Sequence, residues 1–223
     1  MAEADTPLAR GADAGRIQTP AADTRTRLIL AAMELFGERG VEGASLRGIN
    51  ELADCRNSGA VHYHFGGRVQ LVSAILDFIT TQWGESVPPE QQASVIEIMR
   101  AMALSQLELR DNHPWGLKAL RFLERLMMDQ DPEIQALWRV HFEARLQRVA
   151  DRLTTLCPAV PVTRLRLRFM MAVVTLVHGV SGLTALQRTA LGDVRGGRGD
   201  LAMIDELAAF ATGGLLADVA DPA

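Results

Sequence analysis

The residues best equipped for chemistry lie between Ser45 and Arg68. The run Arg56-Asn57-Ser58-Gly59-Ala60-Val61-His62-Tyr63-His64-Phe65 gathers guanidinium, amide, hydroxyl, imidazole and phenol groups on one short segment. Such groups hydrogen-bond base edges and phosphate oxygens, and the small Gly59 and Ala60 let a helix come close to a groove. Other chemistries find less support. Ser, His and Asp are present, but there is no GxSxG elbow, HExxH pair, Walker-type loop or dinucleotide fingerprint, so no enzyme is expected. His62 and His64 stand two apart and would point to different faces of a helix, so they cannot share a metal. Cys55 and Cys157 have no partner spacing. They argue for a reducing cytosol rather than a disulfide framework or metal cage, and no cofactor is expected.

The elements that must hold these residues are helical. From Thr24, Leu28, Leu30, Ala31, Leu35 and Phe36 recur at helical spacing, and Gly40 is a helix stop. Ser45 is a plausible N-cap for a short helix carrying Leu46, Ile49, Leu52 and Ala53. A polar turn over 54–57, a second short helix over 58–65, and Gly66-Gly67 before a longer helix from Arg68 complete the pattern. Two short helices about a tight turn form the layout in which one crosses the DNA backbone and the second enters the major groove.

This text resembles the N-terminal signature of the tetracycline-repressor (TetR) family, over roughly residues 24–77, TRTRLILAAMELFGERGVEGASLRGINELADCRNSGAVHYHFGGRVQLVSAIL. The resemblance implies that Ser45, Arg47, Tyr63, His64 and Arg68 contact phosphates or brace the motif. By the same likeness Arg56, Asn57, Ser58 and His62 read bases. His62 stands where many members have tyrosine, and the turn over 53–57 is one residue longer than the commonest pattern. Phe65 is expected to pack inward onto the first and fourth helices, and Arg25 and Arg27 are secondary candidates for the minor groove.

Beyond Pro88-Pro89 the sequence reads as helices over 90–110, 114–128, 132–156, 163–190 and 201–218, with the Gly/Arg stretch 192–199 as a flexible connector. The expected fold is all-α with about nine helices. It comprises a disordered arm (1–22), a three-helix DNA-binding domain (23–70) and a C-terminal bundle for ligand binding and dimerisation (71–220). Residues 169–186 are apolar on nearly every side and need more than one neighbour, and Gly179, Ser181 and Gly182 allow close helix approach. The resemblance implies a homodimer through the last two helices, which suits a palindromic operator.

Trp115, Phe122, Met127, Trp138, His141, Phe142, Met170 and His178 are the candidate lining of a pocket for a small hydrophobic effector, with core packing as the competing role for each. No apolar run is long enough to span a bilayer. The net charge of -4 excludes a protein coated in positive charge, while leaving room for a small DNA-binding module on an acidic body. Arginine supplies nearly all the cations, since Lys118 is the sole lysine. The rival reading is a helical adaptor that binds a protein partner through its apolar C-terminal surface.

Overall fold

The computed structural model describes residues 23–84 and 93–218. The expected N-terminal arm and the Pro88-Pro89 break lie outside these residues. Among them the chain forms nine α-helices: α1 (Thr24–Arg39), α2 (Leu46–Leu52), α3 (Ala60–Phe65), α4 (Arg68–Gln82), α5 (Val95–Asn112), α6 (Gly116–Met127), α7 (Pro132–Leu156), α8 (Val162–Ser181) and α9 (Asp200–Leu216).

Local chemistry sets the boundaries. Asp23 opens α1 by accepting the Thr26 amide at 2.7 Å, a bond that holds its carboxyl below the usual range. Gly40 closes α1 at φ 78, a left-handed conformation that costs glycine little. Ser94 and Glu97 form a reciprocal capping box at the start of α5. Asp131 and Pro132 start α7 with a side-chain cap and a first-turn proline. α8 stops at Ser181 and tightens into a 3-10 helix, Leu183–Gln187, instead of running to residue 190. The terminating residue is Gly182, whose amide bonds the His178 carbonyl.

α2 and α4 pack on α1, α3 packs on α4 and α2, and α1 in turn lies against α6. This joint is tight. The rings of Phe36 and Phe122 stack at 6.3 Å, and a Cβ on Gly37 would stand 3.1 Å from the Phe122 backbone nitrogen. Lys118 crosses the joint to Glu34 at 2.7 Å. Behind it α5 packs on α9, α8 on α9 and α4 on α7. Gly179 serves the α8–α9 packing inside one chain, because a Cβ there would meet Leu207 Cδ2 at 2.5 Å. Ser181 likewise bonds Glu124 of α6. Gly179 and Ser181 thus fit helices together within the protomer.

The Gly/Arg stretch is not the loose connector expected. Arg195, 6% exposed, donates to the carbonyls of Leu183 and Arg198 and to Asp200, which also receives Arg110 from α5. The glycines let the backbone wrap around a buried guanidinium, with Gly196 and Gly197 both at positive φ. Asp200 is thus a hub between α5, the loop and α9. Arg110 first, and Arg195 after it, hold its carboxyl below the ordinary range. The stabilisation from that depressed value is present above the unfolded carboxylate pKa of about 3.9 and is lost as pH falls through the folded value. Asp200→Ala is expected to lower Tm at pH 7 by roughly 4–8 °C. In paired thermal melts the gap to the parent narrows as pH falls below the ordinary carboxylate range and through the depressed folded value.

Candidate functional site

α2 and α3 are joined by a seven-residue turn, 53–59. Two asparagines shape it. Asn50, buried on α2, donates from Nδ2 to the Ser58 carbonyl at 2.6 Å, and Asn57 Oδ1 accepts the Gly59 amide at 2.9 Å just before α3. Asp54 takes a left-handed φ of 52, which aspartate tolerates better than most residues. Asn50, which sequence reading passed over, ties this turn to α2. A polar residue on the apolar face of α2 was the available signal.

The two sides of α3 differ sharply. Ala60 and Val61 are buried, whereas His62 is exposed and Tyr63 is 83% exposed, a large value for an aromatic ring. His64 stands edge-on to Tyr63 at 5.1 Å, and Phe65 packs inward with the guanidinium of Arg25 over its ring at 5.1 Å. Gly66, at φ 90, turns the chain out of α3, and the His62 ring reaches its carbonyl at 3.4 Å.

Ser45 caps α2 through the Gly48 amide at 3.0 Å while remaining exposed. Arg47 is exposed and paired with Glu51 one turn along α2 at 2.8 Å. Arg56, Asn57 and Ser58 are exposed in the turn. Arg68 is the exception: its guanidinium donates to the carbonyls of Val41 and Ala44, in the link between α1 and α2. It braces the motif. The structure therefore gathers Arg47, Arg56, Asn57, Ser58, His62 and Tyr63 as exposed groups of one helix-turn-helix, with Ser45 and Arg68 holding its geometry.

The pocket candidates divide. A small interior cavity of about 40 Å³ is lined by Trp83 at the end of α4, Met102 and Gln106 of α5, Trp138 and Phe142 of α7, and Val177 of α8. An open cleft of about 320 Å³ between α7 and α8 shares Trp138 and adds Arg139, Arg166 and Met170. His178 lines a third cleft, of about 540 Å³, near the α1–α6 joint, where its Nδ1 pairs with Glu124 at 2.7 Å. Trp115, Phe122, Met127 and His141 line none of these three. Trp115 stacks on His113 and packs against Phe78, Phe122 meets Phe36, Met127 packs on the core, and His141 bonds the Leu137 carbonyl and Asp77.

Residues 28–75 match the bacterial regulatory proteins of the tetR family, and residues 100–214 match the tetracyclin repressor-like C-terminal domain. The chain belongs to the TetR family. Among TetR-family relatives, it is 30% identical over 137 residues to the HTH-type transcriptional repressor AcnR of Corynebacterium efficiens, spanning 58% of this chain and 68% of that protein. A TetR-like transcriptional regulator from Rhodococcus sp. RHA1 superposes with a TM-score of 0.60 at 19% identity, over 90% of this chain and all of that one. AibR, solved with isovaleryl coenzyme A and operator DNA, superposes with a TM-score of 0.55 at 17% identity, over 84% and 97% of the two chains. The all-helical fold with an N-terminal helix-turn-helix is shared with these TetR structures.

Proposed function

We propose that this chain is a sequence-specific transcriptional repressor, acting in the cytoplasm as a homodimer on a palindromic operator and released by a small apolar effector. The observation that carries the reading is α3, whose outward side exposes Tyr63 and His62 while Ala60, Val61 and Phe65 pack inward. On this reading residues 23–70 bind DNA and the remainder, to about 220, senses and dimerises, with no catalytic step. AibR, which carries operator DNA and an acyl thioester on the same fold, supports pairing the two activities. Arg56, Asn57, Ser58 and His62 read bases. Tyr63 and His64 contact phosphate, and Arg47 does so after leaving Glu51.

Leu167 and Met171 on α8, with Leu201, Phe210 and Leu216 on α9, are large apolar side chains left exposed on one protomer. A second copy covers them. An isologous contact through α8 and α9 places two α3 helices for successive major grooves. Effector binding shifts the population toward a dimer whose half-site spacing no longer fits. α4 transmits the shift, since Trp83 at its far end lines the inner cavity and Arg68 at its start grips the α1–α2 link.

Selection from a random duplex library at near-physiological salt tests the reading. An enriched palindrome with half-sites about one helical turn apart is expected. Tyr63→Ala should then weaken all sequences uniformly and leave the salt slope unchanged, since a phenol neutralises no phosphate, while Arg56→Ala and Asn57→Ala alter the preferred bases. No enrichment, together with salt-insensitive capture of a protein partner, would favour the adaptor instead.

A further inference from the structure

Two polar atoms in the wall of the inner cavity are buried without a hydrogen-bonding partner in the protein: Gln106 Oε1 and Trp83 Nε1. Gln106 is 4% exposed. The orientation of its amide is fixed, because Nε2 donates to the Met102 carbonyl at 3.3 Å, and a flipped amide would set oxygen against oxygen. The cavity thus offers one unmet acceptor and one unmet donor within a surround of Met102, Leu123, Phe142 and Val177. Orphaned groups of this kind are costly, and where a fold keeps them they call for an explanation.

The space can grow. Trp138 and Leu146 line both the 40 Å³ cavity and the 320 Å³ cleft outside it, so displacing the Trp138 indole joins the two into a volume typical of ligand pockets. Met102 is flexible enough to repack around an occupant.

We propose that the effector is a small, uncharged, mostly apolar molecule bearing a hydroxyl, which donates to Gln106 Oε1 and accepts from Trp83 Nε1. The proposal rests on the repressor reading and deepens it by naming the chemistry of the sensed molecule. A hydroxyl is the smallest group that answers both atoms at once. A carboxylate has no proton for Gln106 Oε1, and the cation in the wall, Arg145, already donates to the Gly84 carbonyl and lies over the Trp83 ring at 4.7 Å. Around the two orphaned atoms an ammonium finds no carboxylate; Glu143, like Arg139 and Arg166, lines only the outer cleft.

The test uses the full chain and two probes, 4-propylphenol and its methyl ether 4-propylanisole, titrated calorimetrically. The phenol is expected to bind roughly tenfold more tightly or better, since only it satisfies Gln106 Oε1. Gln106→Leu should reduce that ratio below about threefold. Trp83→Phe, which keeps an aromatic ring but loses the pyrrole half of the indole with its N–H donor, should weaken both probes alike. Gln106→Leu should also melt roughly 2–4 °C higher without ligand, because an orphaned acceptor is gone. Equal affinities in the parent, binding of neither probe, or a preference that survives Gln106→Leu would overturn the proposal. Operator release separates the two readings. An operator that these probes leave bound but another compound releases overturns the hydroxyl assignment alone, whereas a chain that selects no operator overturns the repressor.

Discussion

Arg68→Met is expected to abolish operator binding to every sequence and to lower Tm by roughly 6–12 °C. The guanidinium of Arg68 is the donor for two carbonyls, Val41 and Ala44, in the stretch that sets α2 against α1. Hydrogen bonds from a charged donor contribute about 1.5–3 kcal/mol each, so about 3 kcal/mol is lost when both acceptors are left unpaired. Methionine keeps much of the apolar stem, which isolates the loss of the donors from a loss of packing. The readouts are a thermal melt and fluorescence anisotropy with the selected duplex. A variant that melts normally but binds weakly would mean that Arg68 touches phosphate instead. Both bonds leave one nitrogen, Nη1, so Arg68→Lys should recover stability only as far as its shorter side chain lets the ammonium reach the two carbonyls.

Phe210→Glu combined with Met171→Glu is expected to yield a folded monomer with operator affinity reduced at least about 100-fold. Both side chains are exposed in a single protomer, at 72% and 58%, so a carboxylate at either site meets water in the monomer and apolar surface only in the dimer. Linking two half-site contacts raises overall affinity by about 10²–10⁴ through effective concentration, and a monomer forfeits that gain. Sedimentation velocity gives the oligomeric state and far-UV circular dichroism the helicity. A dimer that survives both substitutions would remove α8 and α9 from the interface.

Much of this molecule is legible from residue pattern because its helices are amphipathic and well punctuated. Ser45, Gly40, Pro132 and Gly66 mark ends that the structure keeps, and a thin, polar α3 is unusual enough to stand out before any contact is known. The legible signals are local: a cap and its helix, or a face and its period. What escaped is non-local. Arg68 looks like a phosphate ligand until Val41 and Ala44, 27 and 24 residues away, are brought to it. Arg195 sits in a segment whose glycines read as slack, and only its burial against Leu183, Arg198 and Asp200 shows that they serve a fold. The aromatic candidates for the cavity were the hardest to sort, since Phe122 and Phe142 have the same composition and helical period. They differ only in whether the facing helix fills the space, as α1 does for Phe122, or leaves a gap, as beside Phe142.

The Lys118–Glu34 pair across the α1–α6 joint has a practical reach, because Lys118 is the only lysine in the sequence. Amine-directed acylating reagents therefore have a single side-chain target, and it sits at the contact between the helix carrying the N-terminal bundle and the sensor body. Acylation would neutralise the ammonium and cut the bridge, and with its side chain 30% exposed Lys118 is within reach of such a reagent. A protein that uses arginine almost everywhere else has left one chemically addressable lysine at that contact, where the effect of cutting the bridge on operator binding can be read without introducing any mutation.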